Sequence, residues 1–281
     1  MSSEIVAICE TCPHHCRLSE GQFGICRARR AEGGRVSCAN YGRITSLALD
    51  PIEKKPLAFF RSGSPILSVG SYGCNLRCPF CQNDSISQCG EGEVPYQTAT
   101  PGELADLALR FKKERGNIGL AYTYNEPLVG WEFVRDCATE IRARGMANVI
   151  VSNGVFEPSV IDTLAPLLDA ANIDLKGPSQ AFYDWVGGDL HAVQRTIATL
   201  YENGCHVEVT TLIVPGHNDT EESINTIATF LASVSPDIPL HVTRFFPRHR
   251  MSDANPTPVA TVRHLADVAR RRLSRVLIGN C

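Results

Sequence analysis

The chain has 281 residues, 43% apolar and 20% charged, enough for one sizeable core or one core with a small appendage. A formal net charge of -3, with both signs mixed along the chain, leaves no basic footprint for nucleic acid and no acidic tail. The opening "MSSEIVAICETC" lacks a charged leader followed by an apolar run, and no later apolar stretch approaches the roughly 20 residues of a membrane span, so a cytoplasmic location is expected.

The first motif along the chain is a group of four thiols, Cys9, Cys12, Cys16 and Cys26, right in number for tetrahedral zinc and equally for a second iron–sulfur cluster. In a cytoplasmic chain with twelve cysteines, clustered thiols point to metal or redox work rather than to disulfides. The surrounding turns read as a metal-stapled knuckle, with its lead-in over residues 1–60, too short to fold on a core of its own. His14 and His15 lie inside it, as substitute ligands or as solvated surface. Arg27, Arg29 and Arg30 read as a solvated face or as a dock for an acidic electron donor. Lys54 and Lys55 in "IEKKPL" receive no assignment.

From residue 61 to 281 short β-branched apolar runs alternate with stretches of helical period. Strands are expected at 66–70, 118–122, 148–152, 171–175, 207–214, 240–246 and 275–279. The first helix is the best punctuated, with Thr100 as N-cap, Pro101 at its first position, Glu103 closing a capping box and Gly116 past its end. Further helices are expected at 127–144, 158–168, 190–203, 220–232 and 258–273. A repeated β/α unit requires parallel strands joined by crossovers. No glycine-rich dinucleotide fingerprint follows the first strand, and the repeats number six or seven, so the expected fold is an α/β partial (β/α)6 TIM-like barrel.

The unusual polar clusters all fall directly after strands: the cysteines after the first, "TYNEP" after the second, "SNG" after the third, "DLK" at the end of the fourth and "PRHR" after the sixth. In a barrel these strand ends share one rim, and that rim carries the chemistry. Cys74, Cys78 and Cys81 make the sharpest cluster. Structural zinc wants a fourth protein ligand and catalytic zinc usually a histidine, whereas a cubane cluster on three cysteines leaves one iron open. The iron–sulfur reading is the stronger.

The CxxxCxxC spacing of these three cysteines, with Phe80 before the last, resembles the radical S-adenosylmethionine (SAM) superfamily. The segments "CETCPHHCRLSEGQFGICRARR", "LDPIEKKPL", "GSYGCNLRCPFCQN", "YTYNEP", "SNG", "IDLKG", "TTLIVPGHND" and "TRFFPRHRM" are similar to the group around pyruvate formate-lyase activating enzymes, and most to the AmmeMemoRadiSam-system radical SAM enzymes. The resemblance implies a [4Fe–4S] cluster on Cys74, Cys78 and Cys81 whose open iron binds the amino and carboxylate groups of SAM. It also implies reductive cleavage of SAM to methionine and a 5'-deoxyadenosyl radical that takes hydrogen from a substrate, with a low-potential donor such as ferredoxin or flavodoxin supplying the electron. By position, Phe80, Tyr124, Asn125, Glu126, Ser152, Asn153, Asp174 and Lys176 would line the cofactor and substrate side. Where some activating enzymes have Gly-Gly-Glu this chain has Tyr-Asn-Glu. Val151 stands where an aspartate would help hold a monovalent cation, so that ion is not expected. The chain stops at Cys281, where related proteins continue into a tail with further cysteines.

Plainer readings exist for most of these residues. Glu126 suits the start of a helix, Asp174 and Lys176 suit an ion pair, and Asn153 with Gly154 suits a turn. Arg244 and His249 would bind a substrate carboxylate or lie on the surface. Cys38, Cys89, Cys137, Cys205 and Cys281 are expected in the core. The substrate is a protein or peptide, or a small molecule, and a glycyl-radical enzyme activase is the alternative activity. A non-enzymatic iron–sulfur electron carrier is the rival of another class, disfavoured because a carrier needs no barrel and ligates its cluster fully.

Overall fold

The computed structural model describes residues 6–281; the first five, part of the expected leader-free N-terminus and of the 1–60 segment, lie outside the described residues. One eight-stranded sheet organises the chain, its strands adjacent in sequence order: β1 (Ser46–Pro51), β2 (Pro65–Gly70), β3 (Gly119–Tyr122), β4 (Ala147–Ser152), β5 (Ala170–Asp174), β6 (His206–Ile213), β7 (Leu240–Arg244) and β8 (Val276–Gly279). β1 is antiparallel to β2, and every later neighbour pair is parallel. All seven expected strands form. Residues of β2 to β7 are buried almost without interruption, as strands covered on both faces must be, and their near-continuous apolar runs supply that cover.

Seven helices cross between these strands: α1 (Pro101–Arg115), α2 (Trp131–Ala143), α3 (Pro158–Leu164), α4 (Gln180–Val186), α5 (Leu190–Glu202), α6 (Glu221–Val234) and α7 (Val259–Ala269). They make the six β/α crossovers of the expected architecture, and β1 does not pair with β8, so the barrel is partial. The capping of α1 is as the sequence predicts, with Thr100 and Glu103 in a reciprocal box and Gly116 left-handed at the end. Among the described residues no helix is long and apolar enough to cross a membrane.

Of the elements in the main sheet and its crossovers, two escaped the sequence. β1 is an edge strand whose Leu47 and Ala48 are exposed and whose last residue is proline, so it carries no clean alternation. α4 is only seven residues long, capped by the Ser179 hydroxyl accepting from the Phe182 N–H. Three helices are shorter than expected, among them α7, which ends at Ala269 rather than at residue 273. The stretch from residue 127 starts as a 3-10 turn, Pro127–Gly130, before α2 begins, and α3 tightens into Ala165–Leu167, where Pro166 has no N–H to continue the ladder.

The N-terminal segment forms two small hairpins, Ala7–Ile8 with Arg17–Leu18 and Arg29–Glu32 with Arg35–Cys38. Ala7, Leu18 and Ala31 make a separate apolar cluster, while Cys12, Cys26 and Ala28 pack into the main core. One expectation is corrected here. Arg29 is no solvated side chain: it is buried, paired in bidentate fashion with Glu132 at 2.7 and 2.8 Å, and donates to the Val129 carbonyl. A guanidinium can be buried when its fork is met in this way. Arg30 pairs with Glu32 and Glu91. Of the five scattered cysteines, Cys137 and Cys205 are buried as expected, but Cys38, at the end of its hairpin strand, and Cys89 are half-buried and Cys281 is exposed.

Residues 52–60 run across the barrel and close its floor. Asn172 on β5 donates to the Pro56 carbonyl at 2.8 Å. Glu208 on β6, fully buried, accepts from the Ala58 and Phe59 N–H groups at 3.0 and 2.7 Å and meets His206 and His241 at 2.9 and 2.6 Å. Burial alone would raise this carboxyl; the four contacts overcome it and hold the group down at about 2. A depressed carboxylate contributes stability above its ordinary value of 4.5, and the contribution is lost as pH falls toward 2. Glu208→Gln is expected to cost about 3 kcal/mol in urea denaturation near neutral pH, because it leaves buried partners unmet. It should also flatten the acid limb of the wild-type stability profile, and an unchanged midpoint and limb would show that Glu208 does not secure the floor.

Candidate active site

The three cysteines leave β2 on a loop whose backbone is held from several directions. Gly73 sits at φ +90°, and a Cβ there would lie 2.5 Å from the Cys26 carbonyl, so the turn needs glycine on both counts. That same carbonyl accepts from the Cys74 N–H at 3.2 Å, joining the N-terminal knuckle to the loop. His14 reaches the Asn75 carbonyl at 2.8 Å, the Arg77 N–H donates to the Val186 carbonyl, and the Arg250 N–H donates to the Pro79 carbonyl.

Beneath the loop lies a cavity of about 290 Å³ at the C-terminal ends of the strands. Cys74, Phe80, Cys78, Cys81, Tyr124, Asn125, Glu126, Ser152, Asn153, Asp174 and Lys176, every rim residue singled out from the sequence apart from Arg244 and His249, line it. Arg244 instead donates to the Thr257 carbonyl with its guanidinium over Phe246, and His249 pairs with Asp84, so neither faces the cavity. Its other walls, including Pro56, Asn83, Thr210, Thr243 and Asn280, were missed. Thr210 and Thr243 carried a signal, since each sits in an expected strand three or four residues before its end, but a lone threonine in a strand reads as β-propensity.

Glu126 ties two strand ends together. One oxygen accepts from the Ser152 hydroxyl at 2.8 Å and the Leu128 N–H at 3.1 Å, the other from the Asn153 N–H at 2.7 Å. It therefore caps the turn after it and also faces the cavity. Complete burial pushes its carboxyl up to about 7 against these three donors and the nearby Lys176. Asn125 spends its side chain on the loop: its amide donates to the Tyr72 and Gly73 carbonyls and its oxygen accepts from the Ser71 N–H. Asn153 is turned toward the cysteines by Asn75, to whose oxygen its amide donates at 2.8 Å, and lies 3.7 Å from the Cys74 sulfur.

Cys78 is buried, Cys74 and Cys81 are half-buried, and their surroundings differ. Burial raises both Cys74 and Cys78, the latter to about 11, where Lys176 works against it. The Cys74 sulfur accepts from the Leu76 N–H at 3.3 Å, and Cys81 lies 3.1 Å from the Ser87 hydroxyl. Lys176 meets Asp174 at 2.8 Å; burial would lower it, yet that carboxylate and the thiol beside it hold it above its ordinary value. Among the described residues no three or more His, Cys, Asp and Glu side chains are gathered closely enough for a single metal ion. As placed, the thiols of Cys9, Cys12, Cys16 and Cys26 thus form no ready tetrahedral centre. A cluster of several irons asks something else of its ligands, namely separate thiols on one short loop. Cys74, Cys78 and Cys81, with an N–H on one sulfur, a cation near another and open cavity beyond, fit a cubane with one free iron.

A raised carboxyl has a testable sign. Native Glu126 keeps between about pH 4.5 and 7 a proton that the unfolded chain has released, so stability should fall as pH rises through that window and level off above it. Urea denaturation at about pH 5 and about pH 8 should show this slope in the wild type and lose it in Glu126→Gln. A level wild-type profile would mean that the three donors win over burial.

Comparisons with known proteins agree with this geometry. Residues 68–231, more than half of the chain, match the model of the radical SAM superfamily. An uncharacterized protein of Methanocaldococcus jannaschii is 38% identical over 274 residues, covering 97% of this chain and 80% of the relative. The pyruvate formate-lyase-activating enzyme of Clostridium pasteurianum is 28% identical over 170 residues, 58% of this chain and 67% of that enzyme. In fold, the structure of Streptococcus suis SuiB bound to S-adenosylmethionine superposes with a TM-score of 0.59 at 15% identity, over 77% of this chain and 52% of that one. Three thiols after the first parallel strand of a partial barrel, and a family match that runs from within β2 through β6, lead to one conclusion: the chain belongs to the radical SAM superfamily, among proteins resembling the pyruvate formate-lyase activating enzymes.

Proposed function

We propose that this enzyme cleaves SAM reductively at a [4Fe–4S] cluster and uses the product to take a hydrogen atom from a peptide, protein or small-molecule substrate, in the manner of the AmmeMemoRadiSam systems. One observation carries the reading: residues from six strands or their ends, β3 to β8, and the cysteine loop line a single cavity with all three thiols. Bound cluster and SAM would together supply the electron and the hydrogen-abstracting species.

The chain's own residues do the rest. Cys74, Cys78 and Cys81 would hold three irons and leave the fourth for the amino and carboxylate groups of SAM. Glu126 and Ser152, fixed to one another, would present a carboxylate and a hydroxyl toward that amino group. Asn153 and Phe80 would pack against the cofactor, with the backbone turn at Tyr124 and Asn125 as its wall. Lys176 and Asp174 would keep a paired charge at the substrate end. The electron would come from a low-potential donor such as ferredoxin or flavodoxin. The similarity to the Clostridium pasteurianum enzyme supports a second version, a glycyl-radical enzyme activase, whose substrate is a backbone glycine of a partner protein.

A cytoplasmic setting suits twelve cysteines with no disulfide among the described residues. The division into a Cys-rich knuckle with its lead-in (1–60) and a barrel (61–281) is kept as a proposal about folding units; the separate cluster of Ala7, Leu18 and Ala31 supports it, although β1 adds to the barrel's sheet. Zinc or a second cluster at Cys9, Cys12, Cys16 and Cys26 is likewise proposed from the donor set alone, and would require the thiols to turn toward one another.

The test is anaerobic reconstitution with iron and sulfide, reduction by dithionite, addition of SAM, and mass-spectrometric measurement of 5'-deoxyadenosine. The wild type should form it, Cys78→Ala should not, and exposure to air should abolish it. Full turnover after aerobic purification, or formation in the variant, would sink the reading. Deuterium transfer from a labelled glycine peptide would select the activase version.

A further inference from the structure

Tyr124 has a left-handed backbone, at φ +74°, as His249 and Asn280 on the same rim also do. For a bulky aromatic this is a costly conformation, and it persists only where the surroundings over-determine it. Three contacts do so. The Tyr124 carbonyl accepts from the Asn83 amide at 2.7 Å, which ties the turn to the segment just past Cys81. Its ring lies against the end of β2, where a Cβ on Gly70 would come within 2.9 Å of the tyrosine Cβ and Cδ2. Its hydroxyl donates to Asp50 at 2.6 Å.

Asp50 is itself held by a lysine that the sequence left without a role. Lys55, 2% exposed, donates to the same Asp50 oxygen at 2.9 Å and places its ammonium 4.6 Å from the centre of the Tyr124 ring. Lys54, by contrast, is mostly exposed and reaches only the other oxygen, at 3.3 Å. Lys55 precedes Pro56, which lines the cavity, so the pair sits where floor and rim meet. A buried ion pair is a poor way to gain stability, because desolvation offsets the attraction. What this pair does, and an apolar pair of equal volume would not, is fix one hydroxyl and one ring face by direction.

We propose that Asp50 and Lys55 are positioning residues for the cofactor, acting through the Tyr124 side chain to hold the Tyr124–Asn125–Glu126 turn against the cysteine loop. The inference deepens the radical SAM reading above and rests on it. Neither residue lines the cavity, so neither touches SAM; both set the conformation of a wall that does.

The experiment is a double-mutant cycle on anaerobically reconstituted protein with Tyr124→Phe, Lys55→Met and both together. Iron per chain, the thermal midpoint and the SAM dissociation constant are measured, the last from the change SAM causes in the electron paramagnetic resonance of the reduced cluster. Tyr124→Phe removes one oxygen and leaves the ion pair intact, so iron content and midpoint should stay near wild type while SAM binds about tenfold more weakly. Lys55→Met should weaken SAM at least as much, and in the double variant the two losses should not add, since both break one chain of contacts. Lys55→Met strands a buried carboxylate, so Asp50→Asn combined with Lys55→Met serves as the charge-neutral variant and should show the same loss with a folded midpoint. Additive losses, or wild-type SAM affinity in Tyr124→Phe or in the charge-neutral variant, would overturn the proposal and leave the radical SAM reading standing. A wild type that binds no SAM would overturn both.

Discussion

The carboxylate of Glu126 is buried among three donors from two strand ends, and much of the cavity takes its shape from that arrangement. The Ser152 hydroxyl and the Asn153 N–H can be satisfied there only if the ends of β3 and β4 stay in register, and the parallel ladder between those strands fixes that register from below. An unmet buried donor costs more than the bond's net gain, so loss of register is penalised beyond the bonds themselves. The same carboxyl is the one acid in the cavity whose burial carries it close to neutrality.

Around this anchor the cysteine loop is held almost wholly by backbone. Asn125, Cys26, His14, Val186 and Arg250 each meet a peptide group between residues 72 and 79. Side chains of the loop are thereby left free to face the cavity, which is the arrangement a ligand loop needs: its conformation does not depend on the groups it offers. The N-terminal knuckle takes part through the Cys26 carbonyl, so any rearrangement of its four thiols bears directly on Cys74. The floor follows a similar logic, with main-chain donors at Ala58 and Phe59 gathered by the single carboxylate of Glu208. Polar networks of this kind specify one conformation more sharply than apolar packing does, because partial satisfaction is penalised.

Much of this was legible in the chain. The seven parallel strands were readable because strands covered on both faces demand apolar β-branched runs, and the capping box at Thr100 because it is a local bargain between two side chains and two N–H groups. The CxxxCxxC loop was readable because three thiols on one turn have few other uses. β1 and α4 were not, since an exposed edge and a seven-residue helix carry too little period to stand out from a loop.

The sequence by itself determined which segments would be strands and helices, in what order, and which polar residues would follow each strand, because those properties depend on neighbours within a few positions. Only the tertiary structure decided what each polar residue is used for. Arg29 looked like a surface charge until Glu132, far along the chain, was found opposite it. Asn125 and Asn153 look alike in sequence, yet one spends its amide on backbone and the other is aimed at the cysteines. Lys55 had no reading until Asp50 and Tyr124 came to surround it. Burial and partnership arise from contacts across the fold, and no local pattern encodes them.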